Sequence, residues 1–371
     1  MSLLTLDRLV PSYVAGFEAY IPSKPDAELR KLYGCQVLHR LNNNENPLGP
    51  PPQARLRLEE FESGRAAIYP SGDCYYLREA LAERHGLSPE QVLLGNGANE
   101  VIAFVIKAFC EWGDNIVTAD RTFAVYEWVA RFSGLEPRLV PLKNDEFDDQ
   151  AMLAQVDDRT KVVFLCNPNN PTGTYWSKNR LEAFLDLLGE RCLMVVDEAY
   201  MEFVEQPDFP DGLTLLDKYP NLILFRTFSK MYGLAALRVG YLVGQREVVE
   251  IIQRTCIAYS VNSVGQDCAL AALQDDRAHL QATRRLVAEG KAYLAREFAR
   301  LGLPLHYGEG PFVVCQSPIS DTLMYRKLMK RGYMIRPMTG FRAPGQVRIS
   351  LSHLEVLEGL VAAFEEVLNE G

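Results

Sequence analysis

The stretch VVFLCNPNNPTGTYWSKNRLEAFLDLLGERCLMVVD, residues 162–197, indicates the fold class. An apolar run at 162–165 is followed by a loop rich in Asn and Pro, an amphipathic segment at 178–188 and a second apolar run at 194–197. A short strand, a helix and another short strand form the repeating unit of a parallel sheet. Because the runs are apolar throughout rather than alternating, we expect helices to cover both faces of that sheet.

The same alternation extends over much of the chain. Further short apolar runs lie at 92–94, 116–118, 137–142 and 222–226. After residue 240 the pattern changes to long helices, at 247–256, 266–273 and 277–301. The remaining chain combines predicted strands at 312–315, 333–336 and 346–351 with helices at 322–331 and 354–368. The sequence therefore predicts an α/β protein with a mostly parallel sheet and a second, smaller α+β domain.

Composition excludes several classes of protein. The 371 residues contain 39 Lys and Arg against 48 Asp and Glu, a formal net charge of −9, which argues against binding to nucleic acid or to anionic membranes. No apolar run is long enough to span a membrane, and the first residues lack the order of a secretion signal. The eight cysteines form no Cys-x-x-Cys pair, so we expect a reduced, cytoplasmic protein without a structural metal.

Two loops after predicted strands have the composition of ligand-binding turns. The segment Gly95-Asn96-Gly97-Ala98-Asn99-Glu100 precedes a predicted helix, whose free N–H groups can hold a phosphate. It lacks the third glycine of the dinucleotide-binding pattern, and an ordinary turn capped by Asn99 is the alternative. In the segment Asn167–Gly173 two prolines rigidify the loop, so that an Asn side chain can donate to a phenolate-like oxygen, or the loop is a plain turn.

Three further segments carry charged side chains at or near predicted strands. Asp197 ends an apolar strand and needs a cation or acts as a cap, while Tyr200 lies three residues on. Lys230 follows the strand at 222–226, and a desolvated lysine near other cations can attack a carbonyl group to form an imine. Arg238, with Thr227 and Ser229, suits a phosphate. Arg348 alternates with apolar residues and suits a carboxylate, or lies at a surface edge.

Together these groups match the requirements of pyridoxal 5′-phosphate. They supply a carbonyl-reactive lysine, an anion-binding turn, a carboxylate for a ring nitrogen and two donors for a ring oxygen. The motifs Asn170-Pro171-Thr172-Gly173, Asp197-x-x-Tyr200 and Ser229-Lys230-x-x-Gly233, followed by Arg238, resemble those of the fold-type-I aminotransferases.

Finer motifs resemble the histidinol-phosphate aminotransferase family over nearly the whole chain. They are Tyr20–Pro25, Asn44–Pro50, Tyr69-Pro70, Thr122-Phe123 and Ile335-Arg336-Pro337. The resemblance implies a seven-stranded, mostly parallel sheet flanked by helices. It also implies three parts of the chain: an N-terminal arm at 1–40 that packs on the small domain or the partner subunit, a large cofactor-binding domain at 41–275 and a small domain at 276–371.

The resemblance also implies a role for each site residue. Lys230 bonds covalently to the cofactor and moves a proton on the substrate, Asp197 pairs with the pyridine nitrogen, and Tyr200 and Asn170 bond the ring oxygen. Phe123 stacks on the ring. The residues implied to bind the phosphate are Ala98, Asn99, Thr227, Ser229 and Arg238, with Tyr69 from the other subunit of a homodimer. The residues implied to line the substrate end are Tyr20, Asn46, Arg336 and Arg348.

The implied reaction is transamination between histidinol phosphate and 2-oxoglutarate, which yields imidazole acetol phosphate and glutamate. Three segments depart from the family pattern: Phe123 stands in place of Tyr, Ala236 in place of Gly, and Gly310-Pro311-Phe312 in place of Asn-Phe. None of them touches the lysine chemistry, but they bear on the choice of amino donor. An aminotransferase for aromatic or other amino acids, and a decarboxylase for threonine phosphate, are therefore the alternatives.

Overall fold

A computed structural model describes residues 8–18, 22–274 and 276–370. In these ranges the helices are, in chain order, α1 (Ser12–Ala15), α2 (Asp26–Tyr33), α3 (Pro52–Glu59), α4 (Tyr75–His85), α5 (Ala98–Phe109), α6 (Val125–Phe132), α7 (Asp149–Ala154), α8 (Lys178–Leu188), α9 (Arg246–Gln253), α10 (Ser263–Gln274), α11 (Arg277–Arg300), α12 (Asp321–Lys330) and α13 (Leu354–Asn369).

The strands, again in chain order, are β1 (His39–Arg40), β2 (Val92–Asn96), β3 (Asn115–Ala119), β4 (Glu136–Val140), β5 (Thr160–Cys166), β6 (Leu193–Asp197), β7 (Leu222–Thr227), β8 (Val239–Gly244), β9 (Leu305–His306), β10 (Phe312–Gln316), β11 (Tyr333–Met334), β12 (Arg336–Pro337) and β13 (Gln346–Ser350). Eight of these strands, β2 to β7, β10 and β13, lie within two residues of the predicted bounds, whereas β1, β8 and β9 were not predicted.

The large sheet has seven strands in the order β2-β8-β7-β6-β5-β3-β4. Strands β7, β6, β5, β3 and β4 are parallel neighbours, whereas β8 is antiparallel to both β7 and β2. A parallel connection needs a crossover, usually a helix, and the short segment 228–238 between β7 and β8 turns back without one. The mostly parallel, seven-stranded α/β sheet that the family resemblance implied is confirmed.

Burial explains the uniformly apolar strands. Every residue of β6 and β7 is buried, and α5 and α8 each place an apolar stripe in the same core. Strands that are covered on both faces have no solvent-facing position at which a polar residue is favoured. Polar side chains at the ends of these strands, such as Asp197, are therefore the exceptions that need a partner.

The C-terminal part forms an antiparallel sheet in the order β12-β13-β10-β9, packed with α11, α12 and α13. The single strand predicted at 333–336 is wrong: β11 pairs with β1 in a separate sheet, and only β12 pairs with β13. The division falls at the buried residue Ile335. Pro337 lacks an N–H donor, which suits β12 to the edge position that it takes.

The described residues of the N-terminal arm contact both parts of the molecule. Leu29 of α2 packs against Met329 and Met334, next to the pairing of β1 with β11. Phe17, after α1, meets Phe132 of α6 edge to face, with the ring centroids 5.8 Å apart. The placement of the arm against a partner subunit, and the three domain boundaries, stay predictions.

Two further observations concern the described residues. None of their helices combines the length and the apolar character needed to cross a membrane. They also contain no cluster of three or more His, Cys, Asp or Glu side chains arranged to hold a metal ion.

Candidate active site

The carboxyl ends of β5, β6 and β7 meet at one edge of the large sheet. Cys166 at the end of β5 lies opposite Asp197 at the end of β6, which in turn lies opposite Phe225 of β7. The loops that follow these strands carry Asn170, Tyr200 and Lys230. Parallel strands thus bring together side chains that are 30 residues or more apart in the chain, as expected for ligand sites in open α/β sheets.

Lys230 is a partly buried amine with a lowered pKa. Its Nζ donates to the backbone oxygen of Asn43 at 2.8 Å and lies 5.9 Å from the centre of the Tyr200 ring. Burial, followed by the positive charge of Arg348, lowers the pKa of Lys230 to about 8. A substantial fraction of this amine is neutral near pH 8, which makes it available as a nucleophile or as a base.

Asp197 is buried and held by two donors. The hydroxyl of Tyr126 donates to its Oδ2 at 2.5 Å, and the backbone N–H of Ala199 donates to its Oδ1 at 3.1 Å. Burial raises the pKa of Asp197, and the hydrogen bond from Tyr126 opposes that effect. The ionised form of a buried carboxylate is stabilised by a nearby cation, so the site favours a ligand that places positive charge next to Asp197.

Tyr126 is a site residue that the sequence did not reveal. It lies on α6, its ring stacks on Phe164 at 4.7 Å, and it meets Phe123 edge to face. Burial raises the pKa of the Tyr126 hydroxyl well above its ordinary value, so the group keeps its proton and donates to Asp197. The only hint in the sequence is its position three residues after Phe123.

Tyr200, Asn170 and Arg348 form a connected polar group. The side-chain amides of Asn44 and Asn170 both donate to the Tyr200 hydroxyl, at 3.0 and 3.4 Å, and Arg348 donates to the Asn170 side-chain oxygen. Burial raises the pKa of Tyr200 to about 12, and burial lowers the pKa of Arg348 to about 10. The predicted alternative of a surface-edge arginine is wrong, because Arg348 is buried between Phe312 and Phe341.

A turn suited to an anion lies beside this group. Gly97 precedes α5 with a φ of +81°, and a Cβ atom built on it would collide with the guanidinium of Arg238. A Cβ on Gly240 would lie 2.6 Å from the backbone nitrogen of Ala98. The structure thus brings Arg238 against the N-terminus of α5, where Ala98 and Asn99 start the helix. The guanidinium of Arg238 and the N-terminus of α5 together favour a bound phosphate.

The hydroxyl groups predicted for the phosphate lie at the end of β7. Thr227 accepts from the backbone N–H of Ser229 at 3.1 Å, and both side chains are buried. Thr227 also pairs with Gly240 across β7 and β8, so this end of the sheet adjoins the start of α5. Their role in phosphate binding stays a prediction.

The segment Asn42-Asn43-Asn44 contacts all the charged groups at the substrate end. The backbone oxygen of Asn42 accepts from Arg348 at 2.7 Å and from Arg336 at 3.4 Å. The side-chain oxygen of Asn43 accepts from Arg336 at 2.9 Å. The motif Asn44–Pro50 was recognised in the sequence, but only its Asn46 was given a role, and Asn42 and Asn43 were not singled out.

Three predicted site residues lie apart from this group or outside the described residues. The amide of Asn46 donates to the backbone oxygen of Met231 at 2.8 Å and to Thr283 at 3.1 Å, so it ties its loop to α11; its substrate role stays a prediction. Tyr69 is 81% exposed and stacks on Tyr259, with ring centroids 4.9 Å apart. Tyr20 lies outside the described residues.

Comparisons with known proteins agree with this geometry. Residues 37–364 match the family described as aminotransferase class I and II. A histidinol-phosphate aminotransferase of Anaeromyxobacter sp. (strain Fw109-5) is 38% identical over 97% of this chain and 99% of its own length. Histidinol-phosphate aminotransferase 2 of Pseudomonas fluorescens is 40% identical over 90% of both chains.

Among solved structures, the histidinol-phosphate aminotransferase of Sinorhizobium meliloti in complex with pyridoxal-5′-phosphate superimposes with a TM-score of 0.87. It is 27% identical, and the match covers 97% of this chain and 98% of the other. These matches confirm the family expected from the motifs. The chain therefore belongs to the aminotransferase class I and II family, in the group of sequences that includes the histidinol-phosphate aminotransferases.

Proposed function

We propose that this chain catalyses the pyridoxal 5′-phosphate-dependent transfer of an amino group from histidinol phosphate to 2-oxoglutarate, in histidine biosynthesis. The observation that carries the proposal is the environment of Lys230. Its amine has a pKa of about 8, lies against the Tyr200 ring and shares one sheet edge with Asp197 and Asn170. Family membership supports the same reaction, and relatives named histidinol-phosphate aminotransferase support the same substrate.

The residues present fit pyridoxal 5′-phosphate. The close approach of Arg238 to Gly97 at the start of α5 suits the phosphate, together with Ala98, Asn99, Thr227 and Ser229. The buried carboxylate of Asp197 suits the ring nitrogen, and Phe123 suits the face of the ring. Tyr200 and Asn170, which already contact each other, suit the ring oxygen.

The chemistry divides between the cofactor and the chain. When bound, the cofactor supplies a pyridinium ring that stabilises negative charge on the substrate Cα. Asp197 keeps a proton on the ring nitrogen, because a buried carboxylate with a raised pKa is stabilised by an adjacent cation. Lys230 in its neutral form would take the proton from the substrate Cα and deliver it to the C4′ carbon of the cofactor.

Arg336 and Arg348 form the substrate end of the proposed site. Both guanidinium groups donate to the backbone oxygen of Asn42, so the two positive charges lie close together. A bidentate arginine binds a carboxylate or a phosphate equally well in geometric terms. One cationic pair can therefore accept the phosphate of histidinol phosphate in one half-reaction and a carboxylate of glutamate in the other.

The proposal includes a homodimer with shared active sites. Tyr69 is predicted to reach the cofactor phosphate of the other subunit, and its 81% exposure leaves it available to do so. Two further exposed apolar side chains adjoin it: Ile68, its neighbour in the sequence, and Tyr259, on which its ring stacks. Exposed apolar patches mark interaction surfaces in soluble proteins. The eight cysteines, all described and all unpaired, support a reducing cytoplasmic location.

A panel of amino donors tests this proposal. The purified, cofactor-loaded protein is assayed with 2-oxoglutarate and, in turn, histidinol phosphate, aromatic amino acids and threonine phosphate. We expect the highest kcat/KM with histidinol phosphate, with one glutamate formed for each imidazole acetol phosphate. A higher kcat/KM for an aromatic donor would assign the chain to the first alternative. Release of carbon dioxide from threonine phosphate without any keto acid would assign it to the second.

A further inference from the structure

The hydroxyl of Tyr200 accepts two hydrogen bonds in this structure. The side-chain nitrogen of Asn44 donates to it at 3.0 Å, and that of Asn170 donates at 3.4 Å. A phenolic hydroxyl has one proton to donate and two lone pairs that accept. Which atom of each amide faces Tyr200 therefore decides what Tyr200 can do with its own proton.

The orientation of Asn170 follows from Arg348. The Arg348 guanidinium donates to the side-chain oxygen of Asn170 and, as an arginine, has no acceptor to offer. The oxygen of the Asn170 amide must therefore face Arg348, and its NH₂ group must face Tyr200.

Asn44 contacts Ser350 through both its backbone and its side chain. The Ser350 hydroxyl accepts from the backbone N–H of Asn44 at 2.8 Å and donates to the Asn44 side-chain oxygen, also at 2.8 Å. With the side-chain oxygen of Asn44 on the Ser350 hydroxyl, the NH₂ group of Asn44 faces Tyr200. Asn44 adopts a φ of +57°, and it and Ser350 are buried.

We propose that Asn44, oriented by Ser350, is a positioning residue that keeps the Tyr200 hydroxyl a hydrogen-bond donor to the ring oxygen of the bound cofactor. With its lone pairs filled by two amides, Tyr200 directs its proton to a third partner. If the Asn170 NH₂ group donates to the ring oxygen of the bound cofactor, as the proposed function has it, Asn44 is the amide that still donates to Tyr200. The inference rests on the proposed function and deepens it, because neither Asn44 nor Ser350 is assigned a role there.

The variant Asn44→Gly tests this role. Glycine adopts a φ of +57° without strain and keeps the backbone N–H that Ser350 accepts, so only the side chain is lost. A donor to an ionised oxygen favours the ionised form. The visible absorption band of the bound cofactor is titrated with pH in the absence of substrate. We expect the pKa of this titration to rise by about 0.5–1 pH unit, because the hydrogen bond to a charged group is weakened.

A double-mutant cycle separates positioning from simple structural support. Ser350→Ala should raise the pKa of the same band, but should add no further rise in the Asn44→Gly background, because Ser350 acts through Asn44. Ser317→Ala is the matched control: Ser317 is also a buried serine of the small sheet region, and its hydroxyl has no partner among the described residues, so the band should not move.

The outcomes distinguish this inference from the proposed function. If the wild-type protein forms the cofactor band and the pKa of that band is the same in Asn44→Gly and in Ser350→Ala, the role of Asn44 is overturned and the proposed reaction is unaffected. Additive shifts in the double variant also overturn it, because they would mean that the two residues act independently. A wild-type protein that forms no cofactor band contradicts the proposed function itself.

Discussion

Replacement of Tyr126 by phenylalanine tests how Asp197 is held. The change removes the hydroxyl that donates to Asp197 Oδ2 at 2.5 Å, while the ring can stay stacked on Phe164. The backbone N–H of Ala199 still reaches the other carboxylate oxygen. A buried polar group that loses its partner costs about 1–3 kcal/mol, so we expect the free energy of unfolding of the cofactor-free protein to fall by that amount.

The same loss should weaken cofactor binding. Without the Tyr126 donor, burial raises the pKa of Asp197 further, and a carboxyl group that keeps its own proton pairs poorly with the ring nitrogen. A loss of about 1.4 kcal/mol corresponds to a tenfold change in a dissociation constant. We therefore expect the dissociation constant for pyridoxal 5′-phosphate to rise about tenfold, as measured by equilibrium reconstitution of the cofactor-free protein.

A matched control is available in Tyr219→Phe. Tyr219 is also buried, and its hydroxyl donates to the carboxylate of Asp186 at 2.8 Å, but Asp186 is 58% exposed, so water can replace the lost partner. We expect urea unfolding to show a loss below about 1 kcal/mol for this control and no change in cofactor affinity. Equal losses in the two variants would refute the reasoning that burial of Asp197 makes its hydrogen bond valuable.

Three further predictions concern the lysine, the phosphate turn and the substrate arginine. The neutral amine of Lys230 is the nucleophile and its pKa is about 8, so the rate of cofactor attachment should rise with pH through a midpoint near 8; a pH-independent rate would contradict this. Lys230→Ala should retain no cofactor after borohydride treatment. Gly97→Ala should weaken cofactor binding at least tenfold, because the added Cβ pushes Arg238 away. Gly302→Ala is the control: Gly302 also has a positive φ, +70°, but a Cβ there has no neighbour within 4 Å, so binding should not change. Equal losses of binding in the two variants would attribute the effect to backbone strain alone. Arg348→Ala should raise the KM for glutamate about tenfold or more, and an unchanged KM would remove it from carboxylate binding.

Much of the large domain could be predicted because burial selects the residues of its strands. The runs at 162–165, 194–197 and 222–226 are apolar, since each strand lies between two layers of helices. Strand β8 (Val239–Gly244) was not among the predicted strands. Its reversed direction could not have been predicted either, because an apolar strand looks the same in either direction. It depends on the turn at 228–238, which carries the lysine.

The contacts that tune the site were hidden for a different reason. Tyr126 and Asp197 are 71 residues apart, and Asn44 and Ser350 are 306 apart, so no local pattern joins them. Asn46 shows that a recognised motif does not reveal its contacts: its amide donates to Met231 and Thr283, and its substrate role stays a prediction. A motif identifies which residues are chemically able to act, whereas the partners of each side chain depend on how distant segments pack.

By itself, the sequence determined the α/β class, the family and the group of side chains that includes Lys230, Asp197 and Arg238, because strand burial and chemical type are local properties. Only the tertiary structure decided the state of those side chains. Burial lowers the pKa of Lys230 and raises that of Asp197, and Asn44 meets Tyr200, which lies 156 residues further along the chain. Electrostatic and hydrogen-bond energies depend on distance and solvent exposure, which the order of residues along the chain does not contain.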